Sequence, residues 1–142
     1  LEKVKDSRYV LVVDYRKNIF RDRFFVYDLK NRKIIFSSRV GHAYRSGLFK
    51  PTELSNVYGS NKTSVGLYEV GYLYHGSFGP SRKLFGIEDS NSNAYKRAIV
   101  IHKARYGEYG SLWSNGCFTF FAEDYVKVLE YTKRIKKLLV FN

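Results

Sequence analysis

Three short runs, Arg8 to Tyr15 (RYVLVVDY), Arg23 to Asp28 (RFFVYD) and Lys33 to Val40 (KIIFSSRV), are rich in β-branched and aromatic residues and separated only by brief polar stretches. Such side chains suit a pleated, half-buried surface, and connections this short leave no room for a crossover helix. The beginning of the chain therefore reads as an antiparallel meander rather than as βαβ units. Strand character resumes at Val65 to Leu73, with Tyr74 to Pro80 read as a turn, and again at Leu84 to Glu88, Ala98 to Ile101, Cys117 to Phe121 and Leu138 to Phe141. One helix is predicted, from Ala122 to Arg134, where Tyr125, Val128, Leu129, Thr132 and Ile135 recur on one face. Glu123 and Asp124 suit its N-terminal end, and Lys133 and Arg134 its C-terminal end. The expected fold is mainly β, a mixed or antiparallel sheet assembly with one C-terminal helix.

A length of 142 residues with 44% hydrophobic composition predicts one folded domain over residues 1–142. The chain has no apolar run long enough to span a bilayer as a helix, and its charged start, Leu1 to Asp6, does not read as the apolar core of a signal peptide. Its single cysteine excludes an internal disulfide. No Walker or Rossmann glycine pattern and no paired metal-ligand spacing is present, so neither a nucleotide cofactor nor a metal is expected. The net charge of +12 favours polyanions or carboxylate-bearing substrates. Nucleic acid and anionic cell-wall polymers both satisfy that condition, as does a merely solvated basic face.

The chemistry gathers between Arg97 and Phe121, around Cys117 and His102. A free thiol titrates near ~8.5, and an adjacent imidazole can convert it to the nucleophilic thiolate, which predicts titration below the ordinary thiol range. If the strands ending at His102 and beginning at Cys117 are antiparallel neighbours, the two side chains meet. Gly116 permits a sharp turn before the cysteine and amides facing an oxyanion, and Ser114 adds a hydroxyl. On these residues alone, a buried structural cysteine beside an ordinary strand-end histidine is the favoured reading, since free cysteines are commonly buried.

Fourteen residues separate His102, in Ile99-Val100-Ile101-His102, from Cys117, in Ser114-Asn115-Gly116-Cys117. This resembles the His and Ser-x-Gly-Cys signature of L,D-transpeptidases with the YkuD-type catalytic domain, and most of all their murein L,D-transpeptidase branch. The stretch from Ser55 to Gly66 (SNVYGSNKTSVG), Gly86-Ile87-Glu88, Asn93-Ala94 and Arg97-Ala98 extend the likeness from about Tyr9 to Phe141. Two departures stand out. The branch usually reads Arg-Ser-Trp-Gly-Cys before the nucleophile, where this chain has Trp113-Ser114-Asn115-Gly116-Cys117, and Lys103 replaces the glycine that commonly follows the histidine.

The resemblance implies a β-sandwich-type catalytic domain of the cell envelope or periplasm that acts on peptidoglycan stem peptides. In that scheme Cys117 attacks the carbonyl of the L-centre residue before a terminal D-alanine, His102 carries the proton, and amides near Gly116 and Cys117 stabilise the oxyanion. Transfer to an amine then gives a cross-link, and transfer to water gives carboxypeptidase activity.

Other residues are candidates for holding substrate. Gly41 to Ser64 reads as a long loop bordering the site, and His42 in His42-Ala43-Tyr44-Arg45-Ser46-Gly47 resembles a histidine context of the same branch. Lys103 to Asn115 reads as a lid, in which Lys103 and Arg105 can hold a carboxylate while Trp113 and Asn115 flank the donor peptide. His75 reads as a surface residue. The competing readings are a non-catalytic basic module that binds an anionic polymer, and a zinc site made from His42, His75, His102 and Cys117.

Overall fold

A computed structural model describes residues 2–104 and 112–142. Its main sheet is assembled from β1 (Tyr9–Asp14), β2 (Phe24–Asp28), β3 (Lys33–Ser38), β5 (Gly66–Gly76), β6 (Gly79–Gly86), β7 (Val100–Lys103), β9 (Phe118–Phe120) and β10 (Lys137–Phe141). A small second sheet pairs β4 (His42–Ala43) with β8 (Trp113–Ser114), and the one α-helix is α1 (Ala122–Thr132).

The strand order is β3-β2-β1-β10-β5-β6-β7-β9. The expected meander β1–β2–β3 is present and antiparallel. β1 is buried nearly throughout because both its edges are paired and both its faces are covered, which is why it reads as a continuous apolar run. Leu11 and Val13 enter the main core, while Val10 and Val12 join a second cluster with Leu67 on the opposite face. The two ends of the strand order meet across that core. Phe24 of β2 packs edge-on against Phe120 of β9, with ring centroids 4.9 Å apart, and Tyr15 stacks over Phe118 at 6.3 Å. The sheet thus folds over on itself as a sandwich.

α1 contributes the stripe that the helical spacing predicts, with Tyr125 and Val128 in the core, but it ends at Thr132 rather than Arg134. Arg82 of β6 donates to Thr132 Oγ1 at 3.1 Å, and the Tyr125 hydroxyl donates to the Pro80 carbonyl at 2.7 Å, so the helix is tied to the strands beside the site. Among the described residues no helix is long and apolar enough to cross a membrane. An apolar groove lined by Val12, Phe25, Tyr27, Leu139 and Phe141 lies on the outer face of β1, β2 and β10 and includes no candidate catalytic residue.

Three expectations need correcting. Tyr74 to Pro80 is not a turn: β5 runs to Gly76 and β6 begins at Gly79, leaving Ser77 and Phe78 as the tip of a long hairpin. The loop Gly41 to Ser64 contains β4 and a 3₁₀ turn over Tyr44–Ser46. Most importantly, β7 and β9 are parallel, with Ile101 opposite Phe118 and His102 opposite Thr119. A parallel pair needs a crossover of roughly a dozen residues or more, and the stretch between these two strands has that length.

Candidate active site

His102 sits in β7 with only 5% of its surface exposed. Its register partner is Thr119, and Cys117 stands just before β9 with its sulfur on the backbone amide of Val100, two residues before His102 on β7. The parallel arrangement makes Cys117 and His102 diagonal rather than directly opposed neighbours. Ile101, Phe118 and Phe120 occupy the other face, in the core.

The imidazole is held from two sides. Its Nδ1 lies 2.8 Å from the Lys103 carbonyl, which assigns the Nδ1 proton to that bond and leaves Nε2 as a base. Phe78, from the β5–β6 hairpin tip, stacks on the ring with centroids 4.2 Å apart and planes at 17°. Burial lowers the His102 pKa below the ordinary imidazole range, against the Lys103 hydrogen bond, which acts to raise it. Lys103 thus contributes its backbone carbonyl, while its side chain is exposed.

Cys117 is half-buried and its sulfur is held by backbone. Val100 N–H donates to Sγ at 3.4 Å, and Sγ lies 3.5 Å from the Ala98 carbonyl. Ala98 has φ of 56°, an uncommon conformation for a residue with a side chain, so the expected strand begins only at Val100. Burial raises the thiol pKa, while the Val100 amide and the charges of Arg97 and Lys83 oppose the rise. The expectation of a thiol titrating below its usual range is thereby corrected. The resting pair is thiol and neutral imidazole, because burial disfavours both charged forms.

The turn before Cys117 is organised by Ser114. Its hydroxyl donates to the Cys117 carbonyl at 2.7 Å and accepts from Gly116 N–H at 3.1 Å. Ser114 therefore braces the turn, and the Gly116 amide expected to face an oxyanion is already engaged. Gly116 has φ of 129°, which a residue with a side chain adopts only under strain. Arg97 packs beneath it: the guanidinium donates to the carbonyls of Ser55 at 2.9 Å and Lys62 at 2.5 Å and to Ser60 Oγ at 3.2 Å, clamping that loop to the turn before Cys117.

The remaining candidates separate. His42 is fully buried, its Nδ1 accepting from Arg23 Nη2 at 2.7 Å and its Nε2 donating to the Gly47 carbonyl at 2.7 Å. It braces the loop and has no ring nitrogen left for substrate or zinc. His75 is exposed on β5, and no group of three metal-ligating side chains occurs among the described residues. Trp113 is half-buried and donates to the Leu48 carbonyl at 2.8 Å, while Asn115 is exposed two residues before Cys117. Arg105 lies outside the described residues. Phe78 carried no sequence signal, since a phenylalanine in an expected turn reads as packing. Arg97 lay within a recognised motif, but its role as a clamp needs the fold.

Replacing Phe78 with alanine is expected to let water reach the imidazole and move the acid limb of the pH–rate profile up toward the ordinary histidine value of ~6.5. A downward move would mean that ring–cation attraction outweighs the exclusion of water.

A profile of the L,D-transpeptidase catalytic domain matches residues 1–141. A search among curated proteins found no match. Among solved structures, the helical cell shape determining protein Pgp2 from Campylobacter jejuni superposes with TM-score 0.62 at 14% identity, covering 93% of this chain and 46% of that one. Bd1075 from Bdellovibrio bacteriovorus gives TM-score 0.60 at 17% identity, with 95% and 48% covered. An L,D-transpeptidase from Mycobacterium smegmatis gives 0.54 at 10% identity, with 95% and 59% covered. The chain spans about half the length of the first two and under two thirds of the third. By its matched profile, and with a fold shared by these structures, the chain belongs to the L,D-transpeptidase catalytic domain family.

Proposed function

We propose that the chain catalyses acyl transfer on peptidoglycan stem peptides through a thioester at Cys117, in the cell envelope. The observation that supports this reading is the seat of Cys117 Sγ on the Val100 amide, two residues before His102 on β7, with His102 Nδ1 anchored on the Lys103 carbonyl and Nε2 left as a base. As Sγ attacks the carbonyl of the L-centre residue before a terminal D-alanine, its proton passes to Nε2. The oxyanion is met by the Cys117 amide, since the Gly116 amide is engaged by Ser114. Collapse of the tetrahedral adduct breaks the peptide bond, and Nε2 returns the proton to the departing D-alanine amine. An amine or water then attacks the thioester, His102 takes its proton, and the C–S bond breaks with that proton returned from Nε2 to Sγ. Because the resting pair is neutral, proton transfer accompanies attack rather than preceding it.

Incubation with purified muropeptides followed by mass spectrometry tests this. Loss of terminal D-alanine, with or without a cross-linked product, is expected, and the ratio reports the acceptor. The competing reading, a basic module binding anionic polymer, predicts salt-sensitive binding to sacculi with no change in the muropeptides.

A further inference from the structure

β6 divides its side chains between two faces. Leu84 is buried in the core and Arg82 faces α1, so Lys83 and Phe85 project the opposite way, onto the face that β7 gives to Val100 and His102. Lys83 pairs in register with Val100, whose amide touches Cys117 Sγ. Phe85 lies two residues farther along the strand, about 7 Å at the usual rise.

There the aromatic side chains form one surface. The Phe85 ring covers Gly71, where a Cβ would approach it to 2.5 Å, and stacks on Tyr95 with centroids 4.9 Å apart and planes at 7°. The Tyr72 and Tyr95 hydroxyls lie 3.2 Å apart. Lys83 Nζ sits 5.7 Å from the Tyr95 ring and 4.3 Å from that of Tyr74, between the cluster and the thiol. In spite of this packing Tyr72 is 54% exposed, Tyr95 48% and Phe85 36%. A contiguous aromatic surface of this kind next to a nucleophile is the mark of a binding site rather than of scattered surface apolarity.

The geometry points to an amino-sugar strand: we propose that Tyr72, Phe85 and Tyr95 seat the glycan that carries the stem peptide, with Lys83 meeting a peptide carboxylate on the way to Cys117. The proposal rests on the acyl-transfer reading. By the strand registers Phe85 stands two strand spacings across and two residues along from Cys117, roughly 12 Å, and three extended residues span about 10 Å, so a peptide whose third carbonyl lies at Sγ places its sugar near this cluster. Pyranose rings present a face of C–H bonds and a rim of polar groups, which matches rings with apolar bodies and hydroxyl tips.

The test compares wild type with Tyr95→Ser and Tyr72→Ser on two donors, a disaccharide-tetrapeptide and the same tetrapeptide without sugar. The expected result is a KM raised about tenfold for the sugar-bearing donor, as for loss of one aromatic face, with kcat and KM on the bare peptide unchanged. Unchanged kinetics on the bare peptide also show that the variants are folded. Equal effects on both donors, or none, overturn the platform. Binding of peptide-free glycan strands, measured by calorimetry, keeps the proposal separate from catalysis. If wild type processes neither donor but binds those strands, and Tyr95→Ser weakens that binding, acyl transfer fails and the platform stands. If single-stranded DNA competes equally with the strands, the surface is not a sugar site and the proposal fails.

Discussion

Cys117→Ala is expected to abolish release of D-alanine from a tetrapeptide donor while leaving the fold intact. Without the thiol no covalent path exists, because Ser114, the nearest hydroxyl in the nucleophile turn, is committed to the Cys117 carbonyl and the Gly116 amide. The structural consequence is small. The sulfur is half-buried, and its removal leaves the Val100 amide without that partner, a loss of about 1 kcal/mol. Thermal unfolding should therefore shift by only a few degrees. His102→Gln provides the graded comparison. It keeps a polar group of similar reach but no base, and kcat/KM should fall by about 10²–10⁴, the usual contribution of a positioned base. Residual Cys117→Ala turnover above that of His102→Gln would remove the cysteine from the mechanism.

Arg23→Ala is expected to cost about 3–5 kcal/mol in unfolding free energy, although it touches no reacting atom. The guanidinium is fully buried, donating to the Val40 carbonyl from Nε at 2.9 Å and from Nη2 at 2.7 Å, to the Lys17 carbonyl at 3.2 Å and to His42 Nδ1 at 2.7 Å, with its carbon 4.7 Å from the Tyr15 ring. Burial brings its pKa down to about 10, so it remains a cation at neutral pH. Truncation leaves these acceptors buried and unpaired and opens a cavity. The same cluster governs acid stability. Burial first, and then the Arg23 charge, depress the His42 pKa to about 4, so the folded protein leaves it neutral where the unfolded chain, near ~6.5, already binds a proton. Stability is therefore fully present above about pH 6.5 and falls by roughly 3 kcal/mol as the pH drops to about 4. Denaturant midpoints at pH 7 and pH 4.5 check this, and His42→Gln should flatten the dependence. An unchanged midpoint in Arg23→Ala would show that the cluster is not a structural keystone.

What the residues disclosed, and what they hid, follows from how each feature is stabilised. The β1–β2–β3 meander was legible because its β-branched and aromatic runs favour strands locally. β6 was legible only at its end, because Gly79-Pro80-Ser81-Arg82 has little strand preference and is held extended by pairing with β5 and β7. Strand composition left the orientation of β9 open, and the antiparallel condition set on it does not hold; the length of the connection suits the parallel crossover that is found. His42 looked like a ligand because its partner Arg23 lies nineteen residues away and nothing local announces the pair.

The motif stretches behaved differently. Asn93 donates from its backbone and side chain to Asn56, Arg97 clamps Ser55, Ser60 and Lys62, and Glu88 accepts from the Leu67 amide at 2.6 Å. Segments matched separately along the chain thus form one scaffold beside Cys117. That scaffold also bears on the arginine missing before Cys117, since Arg97 brings a guanidinium to the underside of the same turn.

Electrostatic setting is the part that residue types could not convey. A cysteine and a histidine together suggest an ion pair, but burial of both favours the neutral forms. Iodoacetamide should therefore label Cys117 slowly at pH 7, with a rate that rises above the ordinary thiol range rather than below it.

Intact-protein mass spectrometry of the acyl-enzyme tests the central claim most directly. Wild-type protein mixed with a tetrapeptide donor, or with a carbapenem as an acylating probe, should gain one acyl mass, and peptide mapping should place it on Cys117. The adduct should form slowly in His102→Gln and not at all in Cys117→Ala. A folded wild-type protein that processes the donor with its adduct elsewhere, or that takes up no acyl group from either compound, would contradict the account.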